Sequence, residues 1–114
     1  MDLFGQTERA RAIDALHAAT ALYTVEPVVE ALLDRIAWPA GSRRLCDPSC
    51  GDGMFLECAL RRLLSSEPDI GRERLLGLLE GWEVHPHAAH QARARVARVL
   101  VTFGWSPPAA ADSA

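Results

Sequence analysis

Asp47, Gly51 and Gly53 stand within one short stretch, residues 45–64, LCDPSCGDGMFLECALRRLL. An apolar run ends in an acid, a glycine-spaced turn follows, and an amphipathic run begins. Glycine lets the backbone turn sharply and approach a ligand without a Cβ in the way. A helix starting there offers unpaired N–H groups. A phosphate does not suit this turn, because Asp47 and Asp52 repel it and no Gly-Lys-Ser/Thr follows. A ligand with an ammonium and a sulfonium centre suits it better. A second acid, Glu83 in Gly81-Trp82-Glu83-Val84, ends the next strand-like stretch. A carboxylate in that place can accept two hydrogen bonds from a ribose diol. Each acid also has a plainer role, Asp47 as a turn cap and Glu83 as a solvated strand end. Together, on consecutive strands, they read as a nucleotide-like cofactor pocket.

The elements that must hold these acids follow from spacing. Thr7 can cap a first helix running to about Thr20, with Ile13 and Leu16 at helical spacing. Thr24 or Glu26 can cap a second helix, with Pro27 in its first turn. Val28, Val29, Leu32, Leu33 and Ile36 form its apolar face, and Trp38-Pro39-Ala40-Gly41 stops it. Arg43–Asp47 is too short for a helix between Gly41 and Pro48 and reads as a buried strand. Pro48–Gly53 is a turn. Met54–Leu64 is a helix. Arg72–Leu79 fits helix or strand. Gly81–Val84 reads as a second strand with Trp82 and Val84 on one face. From His85-Pro86 a last helix carries Ala89, Ala92, Val96, Val99 and Phe103 as a packing stripe, with Gln91, Arg95 and Arg98 outside. The tail SPPAAADSA reads as a linker. Strand–helix–strand–helix order implies a right-handed parallel crossover, and such sheets bind ligands at the carboxyl ends of their strands. Asp47 and Glu83 both sit at such ends.

Bulk properties narrow the class. The 114 residues suit one small domain, and 49% hydrophobic with 24% charged content favours folding over disorder. Net charge is −3 and all 12 basic residues are arginine. No basic stripe for duplex DNA stands out, so strong nucleic-acid binding by these residues alone is not expected. Cys46, Cys50 and Cys58 are an odd, clustered set, unlike a disulfide framework. The first residues lack the apolar core of a signal peptide, and no apolar run reaches the roughly 20 residues of a membrane helix. A reducing cytoplasm is the expected location.

LYTVEPVVEALL, then CDPSCGDGMFL, then GWEVHPHAA resembles the start of the amino-methylating DNA methyltransferases, the adenine-N6 type of restriction–modification systems. The resemblance covers about residues 22–100. In that family a Tyr/Phe-Thr-Pro segment opens the catalytic domain, Asp-Pro-x-x-Gly-x-Gly-x-Phe/Leu forms the S-adenosylmethionine (AdoMet) loop, and the next strand ends in an acid. Val25 stands where proline is usual, with Pro27 two residues later, and His85-Pro86 replaces the more usual Asp-Pro. The resemblance implies a partial Rossmann-like class I methyltransferase fold, α/β in class. N-terminal helices precede strand–helix–strand–helix with a short parallel sheet. Residues 1–22 lead, 23–103 form the partial AdoMet-binding domain, and 104–114 are a flexible tail. It also implies that Tyr23 and Thr24 lie near the methionine end of AdoMet and that Asp47 faces its ammonium. Pro48, Ser49, Gly51 and Gly53 shape the loop, and Glu83 binds the ribose hydroxyls. Phe55 is a pocket floor or a core residue.

In that family, methyl transfer to the exocyclic amine also uses an Asp/Asn/Ser-Pro-Pro-Tyr/Phe segment, whose polar groups accept from the amine and whose ring stacks on the extruded base. Ser106-Pro107-Pro108-Ala109 is no substitute, having alanine at the aromatic position and following a helix directly. The expected function is therefore the AdoMet-binding part of a DNA adenine-N6 methyltransferase, inactive alone, with DNA the substrate of the complete enzyme. The other reading is a non-catalytic module that pairs with a complementing methyltransferase or specificity subunit. AdoMet chemistry on RNA, protein or a small molecule is a third. His85, His87 and His90 need another ligand to hold a metal and otherwise decorate a helix start. Cys50, near a helix N-terminus, is either an activated thiol or simply a small residue that fits the loop.

Overall fold

The structure, a computed structural model, describes residues 25–114. The first expected helix, Thr7–Thr20, and the site candidates Tyr23 and Thr24 lie outside the described residues. The chain order is α1 (Glu26–Arg35), β1 (Leu45–Asp47), α2 (Met54–Ser66), α3 (Arg72–Leu78), β2 (Leu79–Gly81), α4 (Pro86–Thr102) and α5 (Pro107–Ser113).

Extended Val25 holds the N-cap position of α1 without a side-chain cap bond, and Pro27 sits in the first turn, where its missing N–H costs nothing. The expected apolar face of α1 divides. Val29 and Leu33 are buried, while Val28, Leu32 and Ile36 are exposed. Helix α1 rests on α2 through Arg62, whose Nε donates to Glu30 at 2.8 Å and whose Nη1 donates to the Trp38 carbonyl at 3.3 Å. Trp38 is itself buried and donates from its indole nitrogen to the Ala59 carbonyl at 2.9 Å.

One core spans these helices. Leu33, Leu60, Leu63, Leu64, Val99 and Leu100 are all fully buried. Each such side chain contributes about 1.5–3 kcal/mol relative to exposure. The core is what fixes α2 and α4 against one another and so places the loops at their starts.

Among the described residues the sheet has two parallel strands, in register Leu45 with Leu79, Cys46 with Glu80 and Asp47 with Gly81. The α2–α3 segment makes the crossover that parallel pairing requires. Strand-like pairing continues past both strands. The Trp82 N–H donates to the Asp47 carbonyl, and the Cys50 N–H to the Trp82 carbonyl, each at 2.9 Å. The mixed architecture is compatible with a partial α/β methyltransferase fold.

Several expectations need correction. The ambiguous stretch resolves into helix α3 followed directly by β2, so the second strand begins two residues earlier than Gly81 and ends there. Trp82 and Val84, expected on one face of that strand, lie beyond it and are 62% and 89% exposed. Cys46, expected in a buried strand, is exposed. On α4 the buried residues are Ala88, Ala92, Val99 and Leu100, with Ala89, Val96 and Phe103 only half-buried. The tail expected as a linker is helix α5. Ser106 caps it by accepting the Ala109 N–H, and Ala110 is fully buried.

Candidate functional site

The turn from Asp47 to Met54 closes on itself. Asp47 Oδ1 accepts the Ser49 N–H at 3.1 Å, so Asp47 does cap the turn. The Gly53 N–H donates to the Cys50 carbonyl at 2.9 Å, and Asp52 Oδ1 accepts the Met54 N–H at 3.2 Å. Gly51 and Gly53 have φ of 56° and 92°, a left-handed path that glycine follows without Cβ strain. At Gly53 there is a second reason for glycine. A Cβ there would lie 2.8 Å from the Ala92 Cα, so the missing side chain lets α4 pack against the turn.

Glu83 is not a solvated strand end. It lies two residues beyond β2 and is only partly exposed. Its Oε1 accepts the Gly51 N–H at 2.9 Å, and its Oε2 accepts the His85 N–H at 2.9 Å. The carboxylate therefore ties the glycine turn to the start of α4. The structure brings Asp47, Ser49, Gly51, Gly53 and Glu83 to one end of the sheet, with Pro48 exposed in the same turn. Phe55 is a half-buried residue packed against the main core, which is the plainer of its two roles.

The turn's donors are mostly engaged from inside. The N–H groups of Ser49, Cys50, Gly51, Gly53 and Met54 all have protein acceptors. Asp47, Asp52 and Glu83 surround those donors. An anion finds few donors and several carboxylates here, whereas a cationic group meets an acidic rim. The donors of the turn itself are thus spent on the fold, and the first helix N–H, that of Met54, is spent on Asp52.

Cys50 takes the plainer of its two roles. Burial, then the Asp47 and Glu83 carboxylates, push its thiol up to about 11. Desolvation and like charge outweigh the helix N-terminus, and the thiol stays protonated and inert at neutral pH. Beside Cys50 and Glu83 lies a cavity of about 330 Å³, bounded by Leu56, Gly81, Trp82, Ala92 and Val96. It opens along β2 rather than at Asp47.

Two features were not legible in the sequence. Arg95, placed on the outer side of α4, turns inward and lies 3.4 Å from Asp52 Oδ2 and 3.5 Å from Glu57 Oε2. Ala92 on the same face, one turn earlier, meets Gly53. Their spacing was a usable signal, but their partners lie some forty residues away in sequence. Among the described residues, the histidines at 85–90 form no ligand cluster. Glu26, Glu30 and Cys58 do, with ligand atoms within 4.8 Å of one another. It is a poor cation site, because Glu30 is held by Arg62 and burial, then the bond to Glu30, push the Cys58 thiol up to about 12.

No family model and no solved structure matches the chain. Among curated proteins it is similar to the type II methyltransferase M.BstVI of Geobacillus stearothermophilus. The two are 33% identical over 98 residues, covering 77% of this chain and 18% of that protein. The chain thus spans less than a fifth of the relative it matches. The similarity supports descent from a methyltransferase. No described helix is long and apolar enough to cross a membrane.

Proposed function

We propose that residues 23–103 are the AdoMet-binding N-terminal part of a site-specific DNA adenine-N6 methyltransferase. One observation carries this reading: Asp47, the Gly51–Gly53 turn and Glu83 converge, with Glu83 bonded directly to the Gly51 N–H at 2.9 Å. The donor set suits AdoMet. Asp47 Oδ1 is held by Ser49, which fixes the carboxylate and leaves Oδ2 for an ammonium. Glu83 is held by two backbone N–H groups, which orient its carboxylate at the end of the sheet where ribose hydroxyls would bind. Gly51, Gly53, Pro48 and Ser49 shape the turn. By the family resemblance Tyr23 and Thr24 are assigned to the methionine end of AdoMet. When bound, AdoMet supplies an electrophilic methyl group on a sulfonium. These residues bind and orient it, and none of them activates an amine. The 114 residues contain no Asp/Asn-Pro-Pro-aromatic segment. Methyl transfer to DNA therefore draws on residues outside them.

Thermal-shift titration with AdoMet, S-adenosylhomocysteine and ATP tests the reading. AdoMet and S-adenosylhomocysteine, which share the ammonium and the ribose, should both raise Tm in a saturable way, and ATP should not. Equal shifts with ATP, or none with AdoMet, would count against it.

A second reading is a module that pairs with a complementing methyltransferase or specificity subunit. It is favoured by the exposed Leu76, Trp82 and Val84 around the short β2. An apolar, thinly covered strand region of this kind invites association. Light scattering of the chain alone and mixed with a methyltransferase subunit separates the two readings.

A further inference from the structure

We infer that Arg95 is a positioning residue for the glycine turn, acting through Asp52. The binding arm of this inference rests on the AdoMet reading, and its structural arm does not. Asp52 stands between two left-handed glycines, and glycine permits that path without enforcing it. Something outside the turn must hold it. Asp52 uses Oδ1 to accept the Met54 N–H at 3.2 Å, closing the first turn of α2, while its Oδ2 lies 3.4 Å from Arg95 Nη2. The other guanidinium nitrogen, Nη1, lies 3.5 Å from Glu57 Oε2 and 3.8 Å from Met54 Sδ. The Arg95 side chain is 23% exposed, with Asp52 at 32% and Glu57 at 20%, so the group is partly shielded from water.

Asp47, Asp52, Glu57 and Glu83 crowd around one short turn. Their mutual repulsion favours swinging Asp52 outward, which would release the Met54 N–H and loosen Gly51–Gly53. Arg95 opposes this by neutralising Asp52 and Glu57 from the α4 side. One helical turn earlier, Ala92 blocks Gly53 sterically. Helix α4 thus grips the turn at two points, one by shape and one by charge. Arginine suits the second because its planar fork reaches two carboxylates at once.

The test compares Arg95→Ala, Arg95→Lys, Asp52→Asn and the Arg95→Ala/Asp52→Asn double variant. Amide hydrogen exchange is read in the ligand-free chain, and AdoMet affinity is read separately. Arg95→Ala should speed exchange at Gly53 and Met54 about tenfold, the scale of one partly shielded charge-assisted contact, with Leu60 and Leu63 unchanged. AdoMet Kd should rise by about three- to tenfold, on the same scale. Lysine should restore part of both effects, and the double variant should be no worse than Arg95→Ala alone. Unchanged exchange at Gly53 and Met54, or acceleration spread evenly through the core, would overturn the inference. So would additive effects in the double variant. Should Arg95→Ala not fold, Arg95→Lys and Asp52→Asn still carry the comparison. If the wild-type chain binds no AdoMet, the exchange arm still decides the role of Arg95, and the failure falls on the cofactor reading alone.

Discussion

The ends of the two strands look alike in sequence, each with an acid beside a turn, yet they are built for different work. After β1, Asp47 spends one oxygen on a neighbour two residues away, the Ser49 N–H. After β2, Glu83 spends both oxygens on separate segments, Gly51 in the first loop and His85 at the start of α4. Asp47 is a local cap and Glu83 is a brace between two segments. On the AdoMet reading proposed above, the ligand would meet Asp47 beyond its cap and would share Glu83 with the fold. Loss of Glu83 should therefore show first in stability, and loss of Asp47 first in binding.

The sharpest way to disturb both ends at once is through the turn they share. Gly53→Ala puts a Cβ 2.8 Å from the Ala92 Cα at a φ of +92°. It should lower stability by roughly 2–4 kcal/mol in urea denaturation, combining overpacking with backbone strain. A loss under about 0.5 kcal/mol would mean that α4 does not fix the turn. Glu83→Ala comes next. It strips acceptors from two partly buried N–H groups and should cost about 1–3 kcal/mol without any ligand. Glu83→Gln keeps a carbonyl acceptor and should cost less. If Glu83→Ala left Tm unchanged, the contrast between the two ends would fail.

The buried thiol between the acids gives a pH test. Cys50 has its pKa raised from 9.0 to about 11 in the folded chain. The native state holds that proton more tightly than the unfolded chain does. Its contribution is fully present below pH 9 and is lost as pH rises from about 9 to about 11. Cys50→Ala should remove about 1–2 kcal/mol of the loss seen by pH 11 and leave the part that belongs to Cys58, as read from denaturation midpoints. At pH 8 exposed Cys46 should alkylate before buried Cys50 and Cys58. The smallest stability effect belongs to Asp47→Asn, whose amide oxygen can still accept the Ser49 N–H. It should stay within about 0.5 kcal/mol of wild type. A larger loss would make Asp47 a second brace.

What the sequence disclosed was local. The acid and glycines of the turn fall within seven positions, so turn chemistry and the start of α2 could be read directly. The β2 boundary was misjudged because Leu75–Leu79 is an almost unbroken apolar run, where periodicity does not separate helix from strand. The alternation of Trp82 and Val84 imitated a packed strand, but both project outward. The tail reads as a linker because of its prolines, yet serine followed by proline is also a helix start, and Ser106 caps α5. The inward turn of Arg95 and the brace role of Glu83 depend on tertiary partners, Asp52 and Gly51, that spacing does not reveal. For Cys50, local reasoning left an activated thiol and a small residue that fits the loop both open, and burial among carboxylates decides for the second.

The most direct test of the central claim is calorimetric titration of the chain with AdoMet, run beside Asp47→Asn. The account predicts saturable binding to the wild type and at least about tenfold weaker binding to Asp47→Asn, with Tm nearly unchanged. A folded wild-type chain that gives no saturable heat, or an Asp47→Asn variant that binds as well as wild type, would contradict it.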